Sequence, residues 1–157
     1  MDALRRTLLR GGAASAGIGL LIASGLLAPR RVIAAEWNRQ AFGATTFPEA
    51  IKAAGLTGSQ DSRDILINGP EIAENGAQVT VEISSSLPGS QTLSVFVEKN
   101  PFPLAATLVF ANGAVPHARL QLKMAESSRV RAVIRTTDGK NYHASREIKV
   151  TLGGCGN

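Results

Sequence analysis

Between Asp64 and Leu152 apolar residues recur at every second position, in short runs separated by turn-forming residues. Val79, Val81 and Ile83 alternate with polar residues in "VTVEIS", Leu93, Val95 and Val97 repeat the spacing in "TLSVFV", and Leu120, Leu122 and Met124 oppose Gln121 and Lys123 in "ARLQLKM". A period of two puts one side of an extended chain into a core and the other into water, so these runs read as half-buried strands.

"DILIN", "LAATLVF", "RVRAVIRTT", "KNYHAS" and "REIKVTL" extend the set. "TDGKN" is a hairpin turn between two of them. "GPEIAENGA" reads as a turn-rich connection, and Pro101 and Pro103 in "KNPFP" keep the strand that follows away from the middle of a sheet. About seven short strands at this spacing, with almost no helix among them, imply an all-β fold: an immunoglobulin-like antiparallel β-sandwich over residues 63–152. The disulfide of antibody domains is absent, because the chain has one cysteine.

Ahead of the strands, residues 36–62 read as an extended lead-in followed by a short N-terminal helix. Thr46 suits its N-cap, Pro48 and Glu49 its first turn and Gly55 its stop. Trp37 in the lead-in is read as a packing anchor. Residues 1–35 read as a signal peptide: a basic head, a stretch from Gly11 to Ala28 diluted with Gly and Ser, and small residues at Ala34 and Ala35. Arg5 and Arg6, followed by Thr7, Leu8 and Leu9, resemble the twin-arginine export pattern, which implies a bacterial periplasm. The other reading is an N-terminal membrane anchor.

Export changes the electrostatics. The leader holds five Arg and one Asp of the chain's 17 basic and 12 acidic residues, so the remainder has 12 and 11 and is nearly neutral. The sequence pI near 10.0 is a property of the leader and gives no support to nucleic-acid binding.

The single cysteine, Cys155, stands in the closing "LGGCGN". It cannot form an internal disulfide, and an odd cysteine in an oxidising compartment is exposed to oxidants and exchange partners. Gly153, Gly154 and Gly156 carry no side chain and lose the most entropy on ordering, so they read as a flexible arm over 153–157. From Leu152 to Cys155 the chain reaches roughly 10 Å, enough to bring a thiol into a narrow channel. The terminal carboxylate two residues on opposes ionisation of the thiol, and no Lys or His adjoins it. Such a thiol is a handle activated elsewhere rather than a catalyst.

Other residue groups carry side chains capable of chemistry. His117, His143, Cys155 and Met124 are the residue types of a blue-copper centre, but only Gly156 and Asn157 follow the cysteine, where such centres place a ligand loop. The histidines read instead as a strand-start residue (His117) and a cross-strand neighbour (His143). Arg129, Arg131 and Arg135 share a face of one strand and read as a solvated outer stripe, with an anion site as the alternative. No nucleophile–base–acid spacing and no phosphate-loop or zincin motif is present.

"GPEIAENGA", "LPG", "EKNPFPLAAT", "VRAVI" and the terminal "GGCG", in this order, resemble SoxY, the thiosulfate-oxidation carrier family of bacterial sulfur-oxidising systems. The resemblance implies that Cys155 is the covalent attachment site for sulfur intermediates and that the chain is not itself an enzyme. It also implies a heterodimer with a SoxZ-like small β-sandwich subunit. Separate periplasmic enzymes, among them a c-type cytochrome and a sulfate-releasing hydrolase, act on the bound intermediates, and the chain has no haem, metal or other cofactor of its own. The common family ending GGCGG is replaced here by a final Asn157, beyond the reacting atom. The rival reading from the residues alone is a secreted immunoglobulin-like interaction module whose terminal cysteine forms an intermolecular disulfide.

Overall fold

The computed structural model describes residues 38–111 and 113–152. The leader, Trp37 and the arm from Gly153 to Asn157 lie outside the described residues. Two short helices, α1 (Arg39–Gly43) and α2 (Phe47–Ala53), precede nine strands: β1 (Gln60–Asp61), β2 (Ile65–Asn68), β3 (Ile72–Asn75), β4 (Val79–Ser85), β5 (Ser90–Val97), β6 (Leu104–Val109), β7 (His117–Leu122), β8 (Ser128–Thr136) and β9 (Asn141–Leu152). No helix among the described residues is long and apolar enough to cross a membrane.

The strands form two sheets. The smaller has the order β2-β4-β7; the larger has β1-β9-β8-β5-β6, with β3 also on β9. The alternating residues meet between them: Val79, Val81 and Ile83 of β4 face Leu93, Val95 and Val97 of β5 and Val130, Ala132 and Ile134 of β8, all essentially buried. Each fully buried Val or Leu contributes about 1.5–3 kcal/mol of transfer free energy, so this interdigitated layer carries most of the hydrophobic stabilisation. The all-β, immunoglobulin-like sandwich expected from the alternation is the observed fold.

Four local features differ from expectation, each for a physical reason. "KNYHAS" and "REIKVTL" form one strand, β9, because nothing between Ser145 and Arg146 interrupts its pairing with β8. The turn-like "GPEIAENGA" contains β3, which runs parallel to β9, and β1 in the lead-in also pairs with β9 in parallel. The sandwich is therefore antiparallel with two short parallel additions. The lead-in also holds a helix of its own, α1, capped by Asn38, whose Oδ1 accepts from the Ala41 N–H at 3.0 Å. Thr46 caps α2 as its sequence suggests.

The fourth difference concerns the arginine stripe. Arg129, Arg131 and Arg135 do share the outer face of β8, and Arg129 is exposed as expected, but the helical segment covers that face at Arg131 and Arg135. Ala41, Ala50 and Leu56 bury against Phe96, Leu104 and Val133, and Phe47 packs edge-on to Phe96 with ring centroids 5.5 Å apart. Arg131 lies 5.0 Å over the Phe47 ring and donates through Nε to Glu98 Oε1 at 2.9 Å. Arg129 stands 4.0 Å from the same carboxylate, and Arg135 donates to the Gly55 carbonyl and to Asn141 Oδ1. Arg131 and Arg135 fasten the helical cover to the sheet, and the anion met by Arg129 and Arg131 is the internal Glu98 carboxylate.

Pro103 immediately precedes β6, the outermost strand of the larger sheet, and the β5–β6 register shifts between Val95 and Phe96. Proline is thus followed by an edge strand with a bulge, as the "KNPFP" break implied. In "LPG", Gly89 has φ +69°, and a Cβ there would stand 2.5 Å from Thr137 Oγ1, so only glycine fits this turn.

The β8–β9 hairpin turn holds a charge cluster. The Thr136 hydroxyl donates to Asp138, and the Lys140 ammonium sits 3.0 Å from the same carboxylate. The Thr136 hydrogen bond first, and Lys140 second, hold the Asp138 carboxyl well below the usual carboxylate range, at about 2. A depressed acid stabilises the fold at pH values above the ordinary carboxylate pKa, and that contribution is lost as the pH falls through about 2. A carboxyl-carbon NMR titration should place the Asp138 midpoint near 2, and Thr136→Val should move it upward toward the ordinary range. An unchanged midpoint in Thr136→Val would assign the shift to Lys140 instead.

Candidate functional site

The sequence directs attention to the segment after Leu152, and the described structure defines where that segment starts. β9 is held on one side as far as Val150 and on the other to its last residue, Leu152. On one side it pairs with β8 as far as Ser128↔Ile148, beyond which the Ser127 hydroxyl takes over: its Oγ accepts from the Val150 N–H at 2.8 Å and donates to the Val150 carbonyl at 3.4 Å. On the other side β3 pairs Ile72 with Lys149, Ala73 with Val150 and Asn75 with Leu152. The Thr151 hydroxyl adds a bond to the Glu74 carbonyl at 2.9 Å.

The surrounding connections are tied to one another. Asn75 Oδ1 accepts from the Ala77 N–H at 2.8 Å, closing a tight turn, and the Met124 N–H donates to the Gly76 carbonyl at 2.7 Å. Asn100 clamps the β7–β8 connection, donating to the Lys123 carbonyl at 2.7 Å and accepting from the Ala125 N–H at 3.0 Å. Three connections thus brace the end of the sandwich from which the "GGCGN" segment departs. A thiol three residues beyond Leu152 is confined to within roughly 10 Å of a fixed base.

The other candidates are spread over the molecule. His117 begins β7 on the outer face of the smaller sheet, 3.3 Å from Glu82 Oε1. His143 lies on the outer face of β9, paired with Val133, as a cross-strand neighbour. Met124 is fully buried in the core. The histidines are therefore on opposite outer faces with the methionine between them, which is no arrangement for one copper ion. Among the described residues no group of three or more His, Cys, Asp or Glu side chains could hold a metal.

Sequence spacing did not reveal the contacts of His143. Its Nδ1 is 3.0 Å from Ser59 Oγ and its Nε2 is 3.9 Å from Asp61 Oδ1, while its carbonyl accepts from the Ser62 N–H. Ser59 and Asp61 are 84 and 82 positions away along the chain, so no local signal could have joined them. The contacts clamp β1 to β9. The motifs "GPEIAENGA" and "EKNPFPLAAT" also acquire structural roles, the first as β3 and its turn, the second through Glu98 and Asn100.

The fold and this braced end define an immunoglobulin-like β-sandwich with a cysteine-bearing segment attached to its last strand. Comparison with known proteins makes the class specific. Residues 52–155 match the family described as "Sulfur oxidation protein SoxY", and the chain belongs to the SoxY family. Among solved structures it is similar to the sulfur carrier protein SoxY from Chlorobium limicola f thiosulfatophilum, with 37% identity and a TM-score of 0.57 over 64% of this chain and 93% of that one. A more remote likeness is to a superoxide reductase (neelaredoxin) from Ignicoccus hospitalis, at 21% identity and a TM-score of 0.49, covering 56% of this chain and 80% of that one. A search of curated proteins finds no match.

Ser127→Ala removes both hydroxyl contacts to Val150 and should lower stability by about 1 kcal/mol in urea denaturation. Hydrogen exchange at the Val150 amide should accelerate. An unaltered exchange rate there would mean that β3 alone holds the base of the terminal segment.

Proposed function

We propose that this chain is a periplasmic carrier of sulfur intermediates in thiosulfate oxidation, exported by the twin-arginine route, with Cys155 as the covalent attachment site. The observation that carries this reading is the family match, which extends through Cys155 itself. The likeness to a sulfur carrier protein supports it, as does the braced end of β9, which provides a fixed base for the Gly153-Gly154-Cys155-Gly156 segment.

The chemistry follows from the thiol. Cys155 Sγ and the sulfane sulfur of thiosulfate form an S–S bond, the thiol proton goes to solvent, and two electrons pass to a c-type cytochrome partner. Water then attacks the sulfone sulfur of the resulting S-thiosulfonate and breaks its bond to the sulfane sulfur. Sulfate leaves, and a persulfide remains on Cys155 for further oxidation or transfer.

A cysteine with no activating neighbour in sequence is a poor nucleophile when free and a poor leaving group when loaded, which keeps cargo in place until an enzyme attacks it. The carrier is thus non-catalytic. A SoxZ-like small β-sandwich subunit completes it as a heterodimer, and a sulfate-releasing hydrolase acts in trans.

Cys155→Ser tests the assignment in a reconstituted thiosulfate-oxidising system. Turnover should fall to background, while circular dichroism and binding of the SoxZ-like subunit remain as in the wild type. Retained turnover would sink the assignment.

A further inference from the structure

The place of the thiol limits where a protein that acts on it can touch this chain. Cys155 lies three residues beyond Leu152, the last residue that β3 holds. Three residues span roughly 10 Å at most, whatever conformation they take. An enzyme that closes around the Cys155 sulfur therefore brings its own surface to within about 10 Å of the end of β9. A contact of ordinary size, about 800 Å² on each partner, has a radius of roughly 16 Å. Such a contact covers the end of the sandwich to which Leu152 belongs.

That end is defined by the pairing. β3 and β9 finish there, on the same side as the ends of β5 and β7 and the starts of β4, β6 and β8. Five large hydrophobic residues are exposed among the described residues. Three belong to the opposite end: Leu66 is joined through Ser84 to His117 at the start of β7, Val115 precedes that start, and Val109 closes β6. Phe102 and Ile72 remain, each 58% exposed, and they flank the exit of β9. Ile72 pairs with Lys149, one strand spacing from β9 and three residues short of Leu152. Phe102 stands in the β5–β6 connection, two to three spacings to the other side, about 10–14 Å away across the sheet. A contact of that radius centred on the exit spans both.

Phe102 is held out on a fixed loop. Pro101 and Pro103 set the backbone on either side of it. The Pro103 carbonyl accepts from the Val97 N–H at 2.8 Å, the Lys99 N–H donates to Ser128 Oγ at 3.0 Å, and Asn100 ties the loop to Lys123 and Ala125. An aromatic ring presented on a fixed backbone loses little freedom on binding, which suits an anchor. The charges beside it already have partners: Glu98 is engaged by Arg129 and Arg131, and Lys99 stands 3.9 Å from Glu126. The loop therefore offers apolar area rather than an unpaired charge.

We propose that Phe102 and Ile72 form the docking surface for an enzyme that takes the cargo of Cys155 into a channel, and that they meet an apolar rim around the channel mouth. The short tether selects the occupant, because an enzyme that holds the sulfur cannot avoid this end of the sandwich. The proposal rests on the carrier reading for what Cys155 bears. Two anchors suit a carrier that leaves one enzyme for the next, since few contacts hold it and few need to break.

The test uses the full processed chain with its SoxZ-like subunit, loaded at Cys155 as the S-thiosulfonate and checked by intact mass, as substrate of the purified sulfate-releasing hydrolase. Steady-state sulfate release separates docking from chemistry. Phe102→Ala should raise KM about tenfold and Ile72→Ala about threefold, both with kcat unchanged, since neither side chain reaches the reacting sulfur. Val115→Ala, at the opposite end, should leave both constants alone. The loaded peptide "VTLGGCGN", which lacks the surface, should show a higher KM than the whole chain. Wild-type KM in both variants, or a peptide as good as the chain, would overturn the docking surface and leave the carrier reading standing. Loss of the SoxZ-like subunit from either variant would assign these residues to the heterodimer and likewise overturn it. A wild-type chain that takes no thiosulfonate at Cys155 would overturn the carrier reading and the docking surface with it.

Discussion

The arrangement depends on the pairing of β9. Along one side this twelve-residue strand is antiparallel to β8, and along the other it takes two short parallel strands, β1 near its start and β3 near its end. The first pairing completes the larger sheet and buries Ile148 in the core. The parallel strands close the edge and hold the backbone through Leu152. A terminal segment can deliver a thiol to a definite place only if the residue before it is fixed, and here the fixing bonds extend to the last described position.

Much of this was legible in the sequence, because burial on one face of a strand writes a period of two. Val79, Val81 and Ile83, or Leu93, Val95 and Val97, are recognisable as core positions without coordinates. The outer face of β8 was not legible. Alternation with arginine looks like solvent exposure, and only tertiary packing shows that α1 and α2 cover Arg131 and Val133. β3 was hidden for a different reason: Ile72 and Ala73 are flanked by Gly, Pro, Glu and Asn, so a strand defined by its partner resembles a turn. The clamp of Ser59 and Asp61 on His143 spans more than eighty residues and has no local signature.

The candidate site was legible in another sense. A lone cysteine among glycines beside the C-terminus is visible at once, and its isolation from activating groups is readable from its neighbours. The coordinates add the base from which it departs and the bonds that make that base rigid. In the proposed carrier, labour divides: the sandwich fixes the base, the cysteine supplies a nucleophilic sulfur, and reactivity comes from whichever enzyme receives it. Internal activation would work against a carrier, since a cysteine of lowered pKa is the better leaving group and its cargo would be displaced faster by passing thiols.

The central claim is that Cys155 carries sulfur. The direct measurement is the intact mass of the chain, with the mass of its C-terminal peptide "VTLGGCGN", isolated without reductant from cells growing on thiosulfate. The account predicts sulfonate or sulfane adducts confined to Cys155 and removable by reductant. A thiol that is always free, or found only in a disulfide to another protein, would contradict it.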